Sequence, residues 1–133
     1  MAVVAGDLRI AATESAIRAL ETGSPPSFYL PPEAVDQSLL EPSDRRTLCE
    51  WKGEAEYFHI KGPKGLIRDA LWRYPHAWDD AAVIAGYFSC YPARLDCFVG
   101  SERVRPQAGG YYGGWITDDV VGPFKGEPGT GHW

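Results

Sequence analysis

Residues 48–60 of the chain, LCEWKGEAEYFHI, alternate with a period of two. Cys49, Trp51, Ala55, Tyr57 and His59 fall on one face, and Glu50, Lys52, Glu54 and Glu56 fall on the other. That is the side-chain period of a β-strand with one face buried and one in water. Gly53 interrupts the run. It marks either a bulge within one strand or, with Lys52, the turn of a hairpin. In a hairpin, the residues flanking the turn become cross-strand neighbours. Both arrangements gather the rings on one side.

The rest of the chain is punctuated in the same manner. Residues 8–12 read as a short strand. Residues 14–21 place Ile17 and Leu20 at helical spacing over about two turns, with a strand as the other option. Gly23-Ser24-Pro25-Pro26 is a break. Residues 27–30 are a strand stopped by Pro31-Pro32, and Pro32, Glu33 and Ala34 suit the first turn of a short helix. Leu39-Leu40 is an apolar anchor, and Glu41-Pro42-Ser43-Asp44 is expected to turn. Gly62-Pro63-Lys64-Gly65 is a loop. Residues 66–74 form the next strand, with Arg68, Ala70, Trp72 and Tyr74 on one face and Pro75 ending it. Asp79-Asp80 suits the cap of a short helix ending at Gly86. Residues 87–91 are a short apolar strand, and residues 95–104 read as a hairpin about Gly100-Ser101.

From residue 106 onward the character changes. This stretch holds eight Gly and five aromatic residues, Tyr111, Tyr112, Trp115, Phe124 and Trp133. Glycine at that density resists regular structure, and rings at that density resist disorder. The expected organisation is a β-rich core over residues 1–105. Residues 106–133 form an arm pinned by its rings to that core or to a partner subunit.

Charge and cysteine content exclude several classes. The net charge is −5, and no basic run is longer than Arg45-Arg46. The chain therefore lacks the electrostatic footprint of nucleic-acid binding or of anionic membrane surfaces. Three cysteines, Cys49, Cys90 and Cys97, point to free thiols in a reducing compartment. MAVVAGDLRIAA has no basic leader, and no stretch approaches the roughly 20 apolar residues of a membrane span. A cytoplasmic protein is expected.

Several segments together resemble the domain of unknown function 427 family. They are LLEPSDRRTLCEWKGEAEYFHI, ALWRYP and AAVIAGYFSCYPARLDCFV, with SFYLP as an N-terminal strand. The shared features are Pro42-Ser43, Thr47 and Cys49, Lys52-Gly53, Tyr57, Trp72-Arg73-Tyr74-Pro75, Gly86-Tyr87 and Tyr91-Pro92. The likeness runs from about residue 8 to residue 104. Two departures stand out: Glu50 replaces the family's Pro after the cysteine, and the arm lies outside the shared pattern. The resemblance implies a mostly β fold with one or two short helices. Its antiparallel sheets would be arranged like a β-tent and meet at an angle over an aromatic-lined site. Related β-tents carry a structural zinc on paired Cys-x-x-Cys motifs; this chain has no such pair, so no metal and no cofactor is expected. The family supplies a fold and a pocket rather than a reaction.

The candidate site follows from the rings. Trp51, Tyr57, Trp72, Tyr74 and Tyr87 lie on or beside strands, and convergent rings make the usual small-molecule pocket. Arg45 and Lys52 flank the same segment and suit an anionic or polar group. The leading expectation is a small-molecule-binding module. One alternative is an enzyme using Cys49, near Arg45, Lys52 and His59, or a basic pocket residue. Another is an interaction protein forming a homodimer through its arm.

Overall fold

The computed structural model describes residues 1–20, 25–49, 52–107 and 113–119. The strands are β1 (Ala2–Ala5), β2 (Leu8–Ala12), β3 (Ile17–Ala19), β4 (Ser27–Tyr29), β5 (Leu40–Cys49) and β6 (Gly53–Gly62). They continue with β7 (Gly65–Arg73), β8 (Phe88–Cys90), β9 (Asp96–Val99), β10 (Glu102–Arg103), β11 (Arg105–Pro106) and β12 (Trp115–Ile116). The fold is mostly β with antiparallel sheets. Among the described residues the helical elements are three 3₁₀ turns, Pro32–Ala34, Gln37–Leu39 and Asp79–Ile84. None of the described helices is long and apolar enough to cross a membrane.

Two four-stranded sheets carry the architecture, in the orders β10-β9-β1-β2 and β5-β6-β7-β8. Two smaller pairs, β3-β4 and β11-β12, complete it. Leu30 N donates to the Phe88 carbonyl at 2.7 Å, and Phe88 N donates back at 2.9 Å. This bridge lays β4 beside β8 and extends the second sheet.

The opening segment is a hairpin rather than a single strand, with Cys49 paired to Gly53. Gly53 has φ +107°, a left-handed conformation that side chains resist, and a Cβ there would stand 3.2 Å from the Trp78 indole nitrogen. The turn expected over Glu41-Pro42-Ser43-Asp44 is instead a bulge inside β5. Pro42 pairs with Phe58 and Arg46 with Glu56, so four steps on β5 face two on β6. A second bulge lies on β7, where Ile67 pairs with Ile60 and Leu71 with Phe58. The two flank β6, and a polar junction joins them over it. Ser43 Oγ donates to Asp69 Oδ1 at 2.5 Å, and Asp69 N donates to His59 Nδ1 at 3.0 Å. Arg94 donates to the Asp69 carbonyl at 3.1 Å.

This junction breaks two expected alternations. His59 turns to the junction instead of joining the ring face. Asp69, with φ 47°, interrupts β7 so that Ala70 enters the main core while Trp72 faces the rings. Two further expectations shift. Residues 14–21 take the strand option, over Ile17–Ala19 only. The turn at Asp79–Ile84 is 3₁₀ and has Trp78 as its N-cap.

The main core lies between the two sheets. Val3, Ile10 and Cys97 of the first meet Phe58, Ile60, Leu71, Phe88 and Cys90 of the second. The tent-like arrangement suggested a ring-lined site in that space, but the space is filled with packed apolar side chains. Phe28, Phe58, Phe88 and Trp115 belong to this core, while Tyr29, Tyr57, Trp72, Tyr74 and Tyr91 collect on the opposite face of the second sheet, because Tyr57 and Phe58 are adjacent on β6 and both buried. Trp115 closes one end of the core. It is fully buried, its indole donates to the Cys90 carbonyl at 3.0 Å, and its backbone N donates to the Pro26 carbonyl at 2.7 Å. Part of the glycine-rich arm is therefore built into the core of its own chain.

Trp115→Ala should lower stability by about 3–5 kcal/mol, the usual cost of emptying a buried indole site. The check is the urea midpoint by circular dichroism; a fall under about 1 kcal/mol would mean that this ring is not packed as described.

Candidate functional site

The ring face is assembled from three parts of the chain. On β6, alternation from Ala55 brings Tyr57 to this side, and Trp72 stands across from it on β7. Tyr74 follows two residues later. Tyr29 arrives on β4, its neighbour Leu30 pointing into the main core. Tyr91 follows β8. Tyr29 meets Trp72 edge-on at 6.4 Å and Tyr74 at 6.5 Å, while Trp72 and Tyr91 lie 4.6 Å apart. Such pairs contribute about 0.5–1.5 kcal/mol each beyond their burial, so the floor is rigid.

Over this floor lies a cleft of about 250 Å³. The β5–β6 hairpin supplies Thr47, Leu48, Cys49 and Lys52 to its lining, and Pro25, Ser27, Gln107, Gly113 and Gly114 line it as well. The volume is just below the roughly 300–1,000 Å³ of drug-sized ligand sites, so a single small ring system is the natural occupant. The paired glycines have a steric origin. A Cβ on Gly113 would overlap the Trp72 ring, and one on Gly114 would overlap Pro25. The arm's backbone lies directly on the indole, where no side chain fits.

Electrostatics set the character of the cleft. Burial is the main cause that raises the phenols of Tyr29, Tyr74 and Tyr91 above their ordinary value. At Tyr29 a hydrogen bond from Trp72 opposes the rise, and at Tyr91 the charges of Arg45 and Arg94 do. All three stay neutral. The Tyr57 phenol and Thr47 hydroxyl are hydrogen-bonded at 2.9 Å. Among the described residues, three cations sit over rings of this cluster. Lys52 Nζ is 5.9 Å from the centroids of both Tyr29 and Tyr74, Arg45 is 4.4 Å from Tyr57, and Arg94 is 4.3 Å from Tyr91. Desolvation lowers the Lys52 amine below its ordinary value. The arrangement can stack a flat ring and hold an anionic substituent nearby.

Of the residues singled out from sequence, Tyr57, Trp72, Tyr74, Lys52 and Cys49 share this cleft. Arg45 sits over Tyr57 rather than on the lining. Tyr87 packs against the ring cluster from outside, half-buried, and does not line the cleft. Trp51 lies outside the described residues. Sequence reasoning missed Tyr29, Tyr91, Arg94, Thr47 and Gln107. The buried tyrosines had a signal in the alternation Tyr29-Leu30 and in the Tyr91-Pro92 turn. Arg94 had none, because only the fold brings it over Tyr91.

With the cleft described, the likeness to known proteins can be weighed. Residues 1–101 match the family described as domain of unknown function 427, and the chain belongs to it. No curated protein matches the chain.

The buried phenols fix an alkaline limit. Above pH 10 the unfolded chain sheds phenol protons that Tyr29, Tyr74 and Tyr91 retain when folded, so stability falls as pH rises from there. Lys52 acts the other way. Its amine is depressed in the fold, so its contribution grows as pH climbs toward the unfolded value of 10.5 and is flat above it. Urea midpoints should therefore hold up to pH 10 and drop beyond it, with three phenolates appearing only on unfolding in an absorbance titration. Free titration of all seven tyrosines in the folded protein would contradict the buried floor.

Proposed function

We propose that this member of the domain of unknown function 427 family is a small-molecule-binding module whose cleft takes a planar ring bearing an anionic or strongly polar group. One observation carries the reading. Tyr29, Tyr57, Trp72, Tyr74 and Tyr91 converge on a single cleft whose described lining includes one cationic side chain, Lys52. Rings give contact area for a flat ligand at little cost in side-chain freedom, and a cation at the wall selects for negative charge. Arg45 and Arg94, over Tyr57 and Tyr91, supply further positive potential at that end. The thiols support a reducing, cytoplasmic setting, since Cys90 and Cys97 lie 3.9 Å apart in the core as free cysteines.

The test uses benzoate, phenyl phosphate and neutral benzamide as probes, followed by saturation-transfer NMR and tryptophan fluorescence. Lys52→Met keeps the alkyl stem and removes the charge. It should weaken the two anions about tenfold, or 1.4 kcal/mol, and leave benzamide unchanged. Failure of every probe to bind folded wild-type protein would overturn the reading.

A further inference from the structure

Lys52 occupies an unusual position for a lysine. It directly precedes Gly53 at the start of β6, and its own backbone is tied down. The Lys52 carbonyl accepts from Trp78 N at 3.1 Å, and Gly53 beside it packs under the Trp78 indole. The stem is thus delivered from a fixed backbone, and the side chain lines the cleft with its amine over the Tyr29 and Tyr74 rings. Lys61 and Lys64, by contrast, are exposed.

We propose that Lys52 is a covalent ligand site, forming an imine with the aldehyde or ketone of a planar, anionic carbonyl compound seated in the cleft. The proposal rests on the reading of the cleft as a ligand site and adds the ligand's reactive group. The nucleophile is the neutral amine, and partial desolvation of the half-buried Lys52 favours that form relative to an exposed lysine. In the step, the Nζ lone pair adds to the carbonyl carbon and the C–O π pair moves to oxygen, giving a carbinolamine. One Nζ proton passes to that oxygen to make the hydroxyl; the second is lost as the hydroxyl takes up a proton and leaves as water, and a C=N bond replaces C=O. No oxidant or reductant takes part. The neighbouring Cys49 thiol can add to the same carbonyl only to give a hemithioacetal, which hydride does not fix. Reduction therefore separates the two nucleophiles.

The experiment treats the full chain at neutral pH with 4-formylbenzoate and sodium cyanoborohydride, which reduces the imine to a secondary amine. Intact mass and peptide mapping follow. The expected result is one adduct per chain, on Lys52, formed faster than on Lys61 or Lys64. Excess terephthalate, which has the same shape without the aldehyde, should suppress it. Labelling of Lys52 no faster than of those two exposed lysines overturns the proposal, as does labelling that terephthalate leaves untouched. Saturation-transfer NMR with 4-formylbenzoate distinguishes the two failures. Reversible binding that terephthalate displaces, without Lys52 labelling, sinks the imine and leaves the cleft as a binding site. No binding at all removes both.

Discussion

The fold depends on one strand being buried from both sides. β6 gives Phe58 and Ile60 to the core between the sheets and Ala55 and Tyr57 to the ring cluster. A strand covered on one face only would need a single partner layer. β6 needs two, and the rest of the chain supplies them. The first sheet covers one face. The β3–β4 pair and Gly113-Gly114 lie over the other. The cleft is what remains where the second cover is incomplete.

The polar junction on β6 lets the two faces coexist. Alternation alone would send Tyr57 and His59 to the same side. Two bulges opposite that point, linked by Ser43, Asp69 and His59, divert the pattern so that the lower half of the hairpin serves the main core and the upper half the rings. A part-buried carboxylate–hydroxyl contact is charge-assisted and so stronger than an average neutral hydrogen bond. This also gives physical content to the Pro42-Ser43 pair. Ser43 is needed as a clasp between strands, and the turn expected there does not form.

The parts of the fold that were legible in the sequence are those set by local periodicity. The strand over residues 8–12, the hairpin about Gly100-Ser101 and the ring-bearing β6 and β7 all follow from spacing and turn chemistry. What was not legible depends on contacts far apart in the chain. His59 leaves the ring face because Asp69, ten residues on, supplies its partner. Gly113-Gly114 reads as flexible composition until Trp72 is seen beneath it. The site shows the same division. Tyr57, Trp72 and Tyr74 follow from strand patterns, whereas alternation puts Lys52 on the solvated face and only its nearness to the rings in sequence singled it out. Tyr29, Tyr91 and Arg94 join them only through the pairing of β4 with β8 and the turn after it.

The pairing of β1 has a consequence for how the molecule is made. Its partners are β2, close by, and β9, through Ala2 opposite Phe98. During synthesis β1 emerges some ninety residues ahead of its second neighbour. Until then the β1–β2 hairpin presents an open edge with unpaired amides and carbonyls, the kind of template on which chains associate wrongly. Closing so long a loop is also slow by comparison with local pairings. The topology thus places the period of greatest vulnerability on the ribosome rather than in the finished protein. The short length of both strands, and Arg9 on the outer one, limit what that edge can capture meanwhile.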